Sequence, residues 1–530
     1  MRNFQTPGRS PARAMRMMAA TSHTAATTAA LNEMDKGGNA VDGALAAAAV
    51  LSVVEPQMTG IGGDCFAIIA QPDGSIYGVN GSGRAPAMLT ADMLRDDGHT
   101  RIPPTSAHAI TVPGALRGFE YMASHYGTKR FRDVLEPAIK LARDGWLVGD
   151  RVAHDMANPK DPRDVDQDPV LTRVFRPHGR VPVAGDRLVW PQLAKTLQMI
   201  QRDGVDAFYT GEIARDIVSH VRERGGVMSL SDLANCRADA VTPIQADYRG
   251  LSIAELPPNG QGVTALIILK ILERFDIKAL EADGVDRYHL QIEAARAAYS
   301  LRDALVGDPQ TSGDPYRLLD DAVIDQLVAG IDLKGRAHSV TLPDIPNSDT
   351  VYISVADEAG QMVSLIYSIY DDFGALTATE ATGIVLQNRG ACFSLEEGHP
   401  NELAGGKRPL HTIIPAMALK DGVPVMAVGV MGGAYQPLGH AHVVSNMVDY
   451  GMNVQEALDA PRVFWNVQTT QPIVEAPLGD LMIAALNKRG HKSDFAKRAI
   501  GGGQAIWRDA DTGALTGGSD PRKDGCAAGI

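Results

Sequence analysis

The sequence predicts an α+β protein in which sheets are covered by helices, and three observations carry that prediction. The front of the chain is patterned for helices, with apolar residues three and four apart. The rear is patterned for short strands with alternating residues. Between them lies "SVTLPDIPNSD", which has two prolines and no periodicity and ends on Asp349. Helices and strands segregated in this way pack as layers around a shared core.

The 530 residues allow two to four ordinary domains or one large, well-filled fold. Hydrophobic content of 45% and charged content of 21% suit a soluble globular protein. A net charge of −13 argues against a nucleic-acid surface. The cysteines Cys65, Cys236, Cys392 and Cys526 form no CxxC pair, so neither a zinc cage nor a disulfide framework is expected. The N-terminal arginines are not followed by the apolar core of roughly 7–15 residues that an export signal needs. No run approaches the roughly 18 apolar residues of a membrane span. These readings lead us to expect a cytoplasmic protein with no cofactor, no metal, no membrane and no nucleic acid as partners.

The elements follow in order. "GGNAVDGALAAAAVLSVVEP" has a Gly-Asn start, an alanine-dense body and a proline stop, and predicts a buried, close-packed helix. "TGIGGDCFAIIA" then places glycines ahead of a short apolar run. Phosphate binding would need strand, glycines, helix; here the order is helix, glycines, strand, so the glycines are assigned to tight packing. From about residue 115 to 330 the pattern is mainly helical, as in "RFRDVLEPAIKLARDGW" and "DRYHLQIEAARAAYSLRDAL". After Thr350 come the strand-like runs "TVYISVAD", "QMVSLIYSIY", "GIVLQNR", "TIIPAMALKDG" and "PVMAVGVMGG", and helical pattern returns in "HAHVVSNMVDYGMNVQEALDA". His440 and His442 lie two apart on that helix and point to different sides, and no HExxH or Cys/His cluster accompanies them. No GxSxG elbow occurs either.

The chemistry centres on Thr350. "DEAG" is turn material between two alternating runs, so Asp357–Gly360 closes a hairpin. Centring the turn on Ala359 sets Thr350 opposite Ser368, each nine residues away. A threonine hydroxyl becomes a useful nucleophile only beside a base, and that base can be its own α-amine when it starts a chain. An α-amine titrates near pH 7.7–8.0, so it can accept a proton at working pH. Freeing it requires breaking the Asp349–Thr350 bond, which an exposed, Pro-flanked loop tolerates. On spacing alone, an Asp-Thr pair ahead of a strand is equally an ordinary surface feature.

The wider motif set resembles the γ-glutamyltransferase family of N-terminal-nucleophile (Ntn) hydrolases. The matching stretches include "GGNAVDGALAAAAVLSVVEPQMTGIGGDCF", "AITVPGALRGF", "TPIQADYRGLSIAELPPNGQGVTALIILKILERFD", the hairpin, "VMGGAYQP" and "GGSDPRKDGCAAG", in the family's order. The resemblance implies a four-layer αββα Ntn sandwich with additional helices in the N-terminal part. It also implies a proenzyme cut at Asp349–Thr350 into a large chain 1–349 and a small chain 350–530 that stay associated; a dimer of such pairs is compatible with it. Thr350 would be the nucleophile, Ser368 a hydroxyl supporting it, and Gly432 and Gly433 the oxyanion hole, although such a pair also serves a simple tight turn.

The sequence departs from the family at the substrate's head group. γ-Glutamyl enzymes hold the α-carboxylate with an arginine in a "FREMAP"-type motif and the α-amine with an aspartate before "FS". Those positions fall on Ser82, with Arg84 two residues on, and on Cys392. Tyr370 replaces an asparagine, Arg389 a glutamine, and His411-Thr412 a serine pair. The loop between Phe393 and Pro409 is short for a lid. Arg84, Arg389 and His411 are therefore candidates to meet a substrate anion, with Tyr370 and Thr412 beside them; alternatively the arginines pair with structural carboxylates. The pattern "NGSGRAP", "LQNRG", "KRPLHTIIPA" resembles the subgroup that includes oxamate amidohydrolase and, less closely, the cephalosporin acylases. The expected substrate is a small carboxylated, oxamate-like amide. The competing expectations are a γ-glutamyltransferase or glutathione hydrolase with a different clamp, and a non-catalytic relative with a scaffold role.

Overall fold

The structure, a computed structural model, describes residues 8–158, 165–336, 350–466 and 471–530. Two seven-stranded sheets face each other, and all ladders within them are antiparallel. One runs in the order Ala12–Ala14, Leu515–Ser519, Gly502–Arg508, Val423–Met431, Ala416–Lys420, Leu251–Glu255, Ile244–Tyr248. The other runs Cys526–Gly529, Met18–Thr21, Val351–Ala356, Met362–Ser368, Asp64–Ala70, Ile76–Gly81, Asp239–Val241. Met18, Phe66, Ile68, Tyr352 and Ile366 of the second sheet meet Ala254, Met417, Met431 and Ile506 of the first in one apolar layer. Helices cover both outer faces, giving the four-layer αββα Ntn sandwich.

Each layer follows from local sequence. Asn39 caps the helix Ala40–Val54: its side chain accepts from the Asp42 N–H at 3.1 Å, while Asp42 accepts from the Asn39 N–H at 2.9 Å. Every residue of that helix is buried, and its alanines let it lie close against the central hairpin. Val351, Ile353 and Val355 face this helical layer, while Tyr352 and Ala356 face the opposite sheet. Both faces of the strand are therefore apolar.

Strands from before residue 337 and after 349 are mixed in both sheets. Val351–Ala356 lies between Met18–Thr21 and Met362–Ser368, and Ala416–Lys420 pairs with Leu251–Glu255. A backbone break ahead of Thr350 would leave these ladders intact, so two chains would remain interlocked.

Two expectations need correction. The mainly helical stretch 115–330 also contains the hairpin of Ile244–Tyr248 with Leu251–Glu255 and the strand Asp239–Val241. "GIVLQNR" is not a strand. Its backbone bonds scatter to separate partners, Leu386 N–H to Thr377, Gln387 N–H to Gly62 and Asn388 N–H to Ile369. Alternation of apolar residues there reflects burial in an irregular loop.

Candidate active site

Thr350 immediately precedes the strand Val351–Ala356 and is fully buried. Its Oγ1 has no hydrogen-bond partner among the described residues. Asp349 lies outside them. The ladder pairs Val351 with Tyr367, the register expected from the turn, so Ser368 ends the partner strand at the same end as Thr350.

Ser368 anchors the next part of the site. Its Oγ accepts from the Tyr370 N–H at 2.9 Å and from Arg389 Nη2 at 3.4 Å. The first bond turns the chain sharply, with Tyr370 at a φ of 82°, a left-handed conformation that costs an ordinary residue about 1 kcal/mol. On the other side of Ser368 the ladder places Asp64 directly opposite. The glycines before Asp64 make this approach possible, since a side chain at Gly63 would stand 2.2 Å from the Ser368 carbonyl.

Arg389 is fully buried on a short turn, Arg389–Cys392. Nη1 donates to Thr412 Oγ1 at 2.7 Å, and the guanidinium lies 4.3 Å over the Tyr370 ring. Nε has no partner, and no carboxylate forms an ion pair with Arg389 among the described residues. A buried guanidinium without an anion is costly by several kcal/mol, so this charge points to a ligand.

Arg84 and His411 do not provide a second cation. Arg84 donates to the Gly406 carbonyl at 3.0 Å and is neutralised by Asp239 at 3.6 Å and Asp308 at 3.8 Å. His411 has both ring nitrogens occupied, Nδ1 accepting from the Ile413 N–H at 3.3 Å and Nε2 facing Asp64 Oδ2 at 3.2 Å. Burial, reinforced by the Arg389 charge, pushes its pKa down to about 3 despite Asp64, so it stays neutral. Asp64 in turn accepts from the Gly83 and Gly114 N–H groups and from Gln387 Nε2. The head-group positions are uncharged as well. Ser82 Oγ accepts from Asn259 at 3.0 Å, and burial pushes the Cys392 thiol up, against the pull of Arg389.

Gly432 and Gly433 follow the strand Val423–Met431 and open a single turn before the helix Gln436–Val448. Their φ values of 117° and 56° require glycine, and the first N–H groups of such a turn lack intrahelical partners. Gln261 ties this turn to the rest: Nε2 donates to the Gly433 carbonyl at 3.0 Å and to the Thr412 carbonyl at 2.6 Å. A continuous chain thus joins Ser368, Arg389, Thr412, Gln261 and Gly433. Asp64, Gln261 and Gln387 carry no motif that marks them; the signal available for Asp64 is an acid at the start of a wholly buried strand.

One group among the described residues brings metal-ligand atoms within 4.8 Å, namely His289, Glu293 and His491. His289 Nδ1 is bonded to His491 Nε2 at 2.8 Å, and Glu293 is paired with Arg296 at 2.6 Å. Arg296, Arg336 and Arg489 all press on His491 electrostatically. A dication there would have to displace an ion pair amid arginines, so the cluster fits a structural role.

The fold and this constellation define an N-terminal-nucleophile amidohydrolase. The family model for gamma-glutamyltranspeptidase matches residues 26–530, and the chain belongs to that family. It is 38% identical to the "Glutathione hydrolase-like YwrD proenzyme" of Bacillus subtilis, over 97% of this chain and 98% of the relative. It is 34% identical to the "Oxamate amidohydrolase proenzyme" of Klebsiella pneumoniae, again over 97% of this chain and 98% of that one. The solved structure of cephalosporin acylase from Bacillus halodurans superposes with a TM-score of 0.90 at 38% identity, covering 100% of this chain and 99% of the other. No helix of the described residues is long and apolar enough to cross a membrane.

Proposed function

We propose that the protein hydrolyses a small amide carrying a carboxylate beside the scissile carbonyl, with oxamate-like substrates favoured. Cleavage at Asp349–Thr350 releases the α-amine of Thr350. The amine takes the proton of Oγ1 as the oxygen attacks the amide carbon. The N–H groups of Gly432 and Gly433 hold the developing oxyanion, each worth about 3 kcal/mol when well placed. The proton passes to the leaving nitrogen, ammonia departs, and water hydrolyses the resulting ester by the same base. Ser368, at the same end of the hairpin as the nucleophile, holds Tyr370 and Arg389, and Arg389 receives the substrate carboxylate between Tyr370 and Thr412.

The observation that carries this reading is the buried guanidinium of Arg389, which among the described residues pairs with no carboxylate and is joined to Ser368. The glutathione hydrolase-like relative supports a γ-glutamyl reading as the competitor. Against it stands Cys392, whose neutral thiol cannot pair the ammonium of a γ-glutamyl group. Ammonia release from oxamate and glutaramate, and glutamate release from glutathione, would separate the two. We expect turnover of the acidic amides and little of glutathione; efficient glutathione hydrolysis without acidic-amide turnover would overturn the proposal.

A further inference from the structure

Gln261 stands at the start of the helix Gly262–Glu273, yet its side chain does not cap that helix. Its N–H donates to the His411 carbonyl at 3.0 Å, and the His411 N–H donates to the Asn259 carbonyl at 2.8 Å, so the two segments run side by side. The fully buried side chain is fixed in one orientation. Oε1 accepts from Arg302 Nη1 at 2.6 Å, which leaves Nε2 with one hydrogen for each of the Thr412 and Gly433 carbonyls. Flipping the amide would set an oxygen against two carbonyls and an NH2 against a guanidinium. Arg302 is itself held by Asp303 and lies 4.3 Å over the Tyr299 ring, whose hydroxyl donates to the Ala434 carbonyl. One helix, Val285–Leu305, therefore braces both the amide and the glycine turn.

The two carbonyls belong to different functional parts. Thr412 carries Arg389 Nη1, and Gly433 belongs to the proposed oxyanion turn. An acyl group whose carboxylate meets Arg389 while its carbonyl oxygen meets that turn must bridge the span that Gln261 sets. We propose that Gln261 is a positioning residue that fixes this span and thereby selects the length of the acidic acyl group. The inference rests on the proposed amidohydrolase reading.

The test uses full-length protein and the straight-chain half-amides oxamate, malonamate, succinamate and glutaramate. Gln261→Met keeps the volume and removes both donors; Gln261→Glu keeps the length and the Arg302 contact while replacing the donor with an acceptor. We expect wild type to favour one chain length. Each variant should lose about tenfold or more in kcat/KM for that length, with KM rising as well as kcat falling. The preference over the neighbouring lengths should shrink at least threefold. Circular dichroism and melting temperature identify folded variants, and if Gln261→Met does not fold, Gln261→Glu carries the test. A purely structural role would lower the melting temperature yet leave KM and the length ranking unchanged, and that result overturns the proposal. Wild type inactive on every half-amide but active on glutathione would instead overturn the underlying reading, and this inference with it.

Discussion

Replacing Arg389 with methionine separates a ligand-binding charge from a structural one. The variant loses two hydrogen bonds, to Thr412 at 2.7 Å and to Ser368 at 3.4 Å, and the stack on Tyr370. Those contacts together contribute about 2–5 kcal/mol. It also removes a guanidinium held out of water with no carboxylate partner among the described residues, a desolvation cost of several kcal/mol. The two effects are similar in size and opposite in sign, so unfolding free energy should change by no more than about 2 kcal/mol. Half of a buried ion pair would instead cost about 3–5 kcal/mol when deleted. Activity should respond differently. Loss of a charge-assisted bond to the substrate carboxylate removes about 1.5–3 kcal/mol of transition-state binding, or roughly one to two decades in kcat/KM. Urea denaturation and ammonia release on the same preparation make the comparison. A strongly destabilised variant that still turns over acidic amides normally would refute the reasoning.

Other expectations follow from the same site. Wild type should resolve into fragments of about 37 and 19 kDa, dividing 56.4 kDa in proportion to 349 and 181 residues, the smaller beginning Thr-Val-Tyr-Ile; Thr350→Ala should stay in one piece on a denaturing gel, and a cut variant would sink the nucleophile assignment. Ser368→Ala should fold but lose about tenfold or more in kcat, because its hydroxyl accepts from the Tyr370 N–H and from Arg389, and an unchanged rate would mean that those bonds are idle. His411 has its folded pKa lowered from 6.5 to about 3, so the unfolded chain binds the proton more readily between those values. Its contribution is complete above about pH 6.5 and is lost as pH falls toward 3; His411→Gln should flatten the acid limb of a stability–pH curve, and an unaltered slope would contradict the neutral assignment. Cys392→Asp should pair with Arg389, depress acidic-amide hydrolysis and raise the glutathione-to-oxamate activity ratio, which a parallel assay of both substrates checks.

Most of the layered fold was legible because its signals are local. The Asn39 cap, the alanine body of the helix it starts and the turn at Asp357–Gly360 all lie within a few residues of what they determine. The hairpin register followed from that turn alone, and with it the placement of Ser368 near Thr350. Leu251–Glu255 and Gly502–Arg508 each have one hairpin neighbour close in the chain, but their other partners lie more than a hundred and about seventy residues away, respectively, and those pairings were not legible. The site divided along the same line. Residue types named Arg389, but only the structure distinguishes it from Arg84, since what differs is the presence of Asp239 and Asp308 at one guanidinium and, among the described residues, of no carboxylate at the other. Gln261 carries no signal at all in sequence, because its role depends on three chain segments meeting.

Charge balance bears on the proposed substrate class. A γ-glutamyl group brings a carboxylate and an ammonium, so its pocket needs a cation and an anion, and leaving either buried and unpaired costs several kcal/mol. Here the cation is Arg389. The position that would supply the anion holds Cys392, whose thiol burial keeps protonated. Asp64 does not substitute for it, because its oxygens are already taken by two backbone N–H groups, Gln387 and His411. Arg84 is spent on Asp239 and Asp308, and His411 is neutral. Among the described residues Arg389 is therefore a cation with no carboxylate bonded to it, while Asp64 and Asp371 are bonded to neutral donors elsewhere. A monoanion with no ammonium neutralises that cation, whereas a zwitterionic head group would satisfy Arg389 only by burying its own ammonium without a partner.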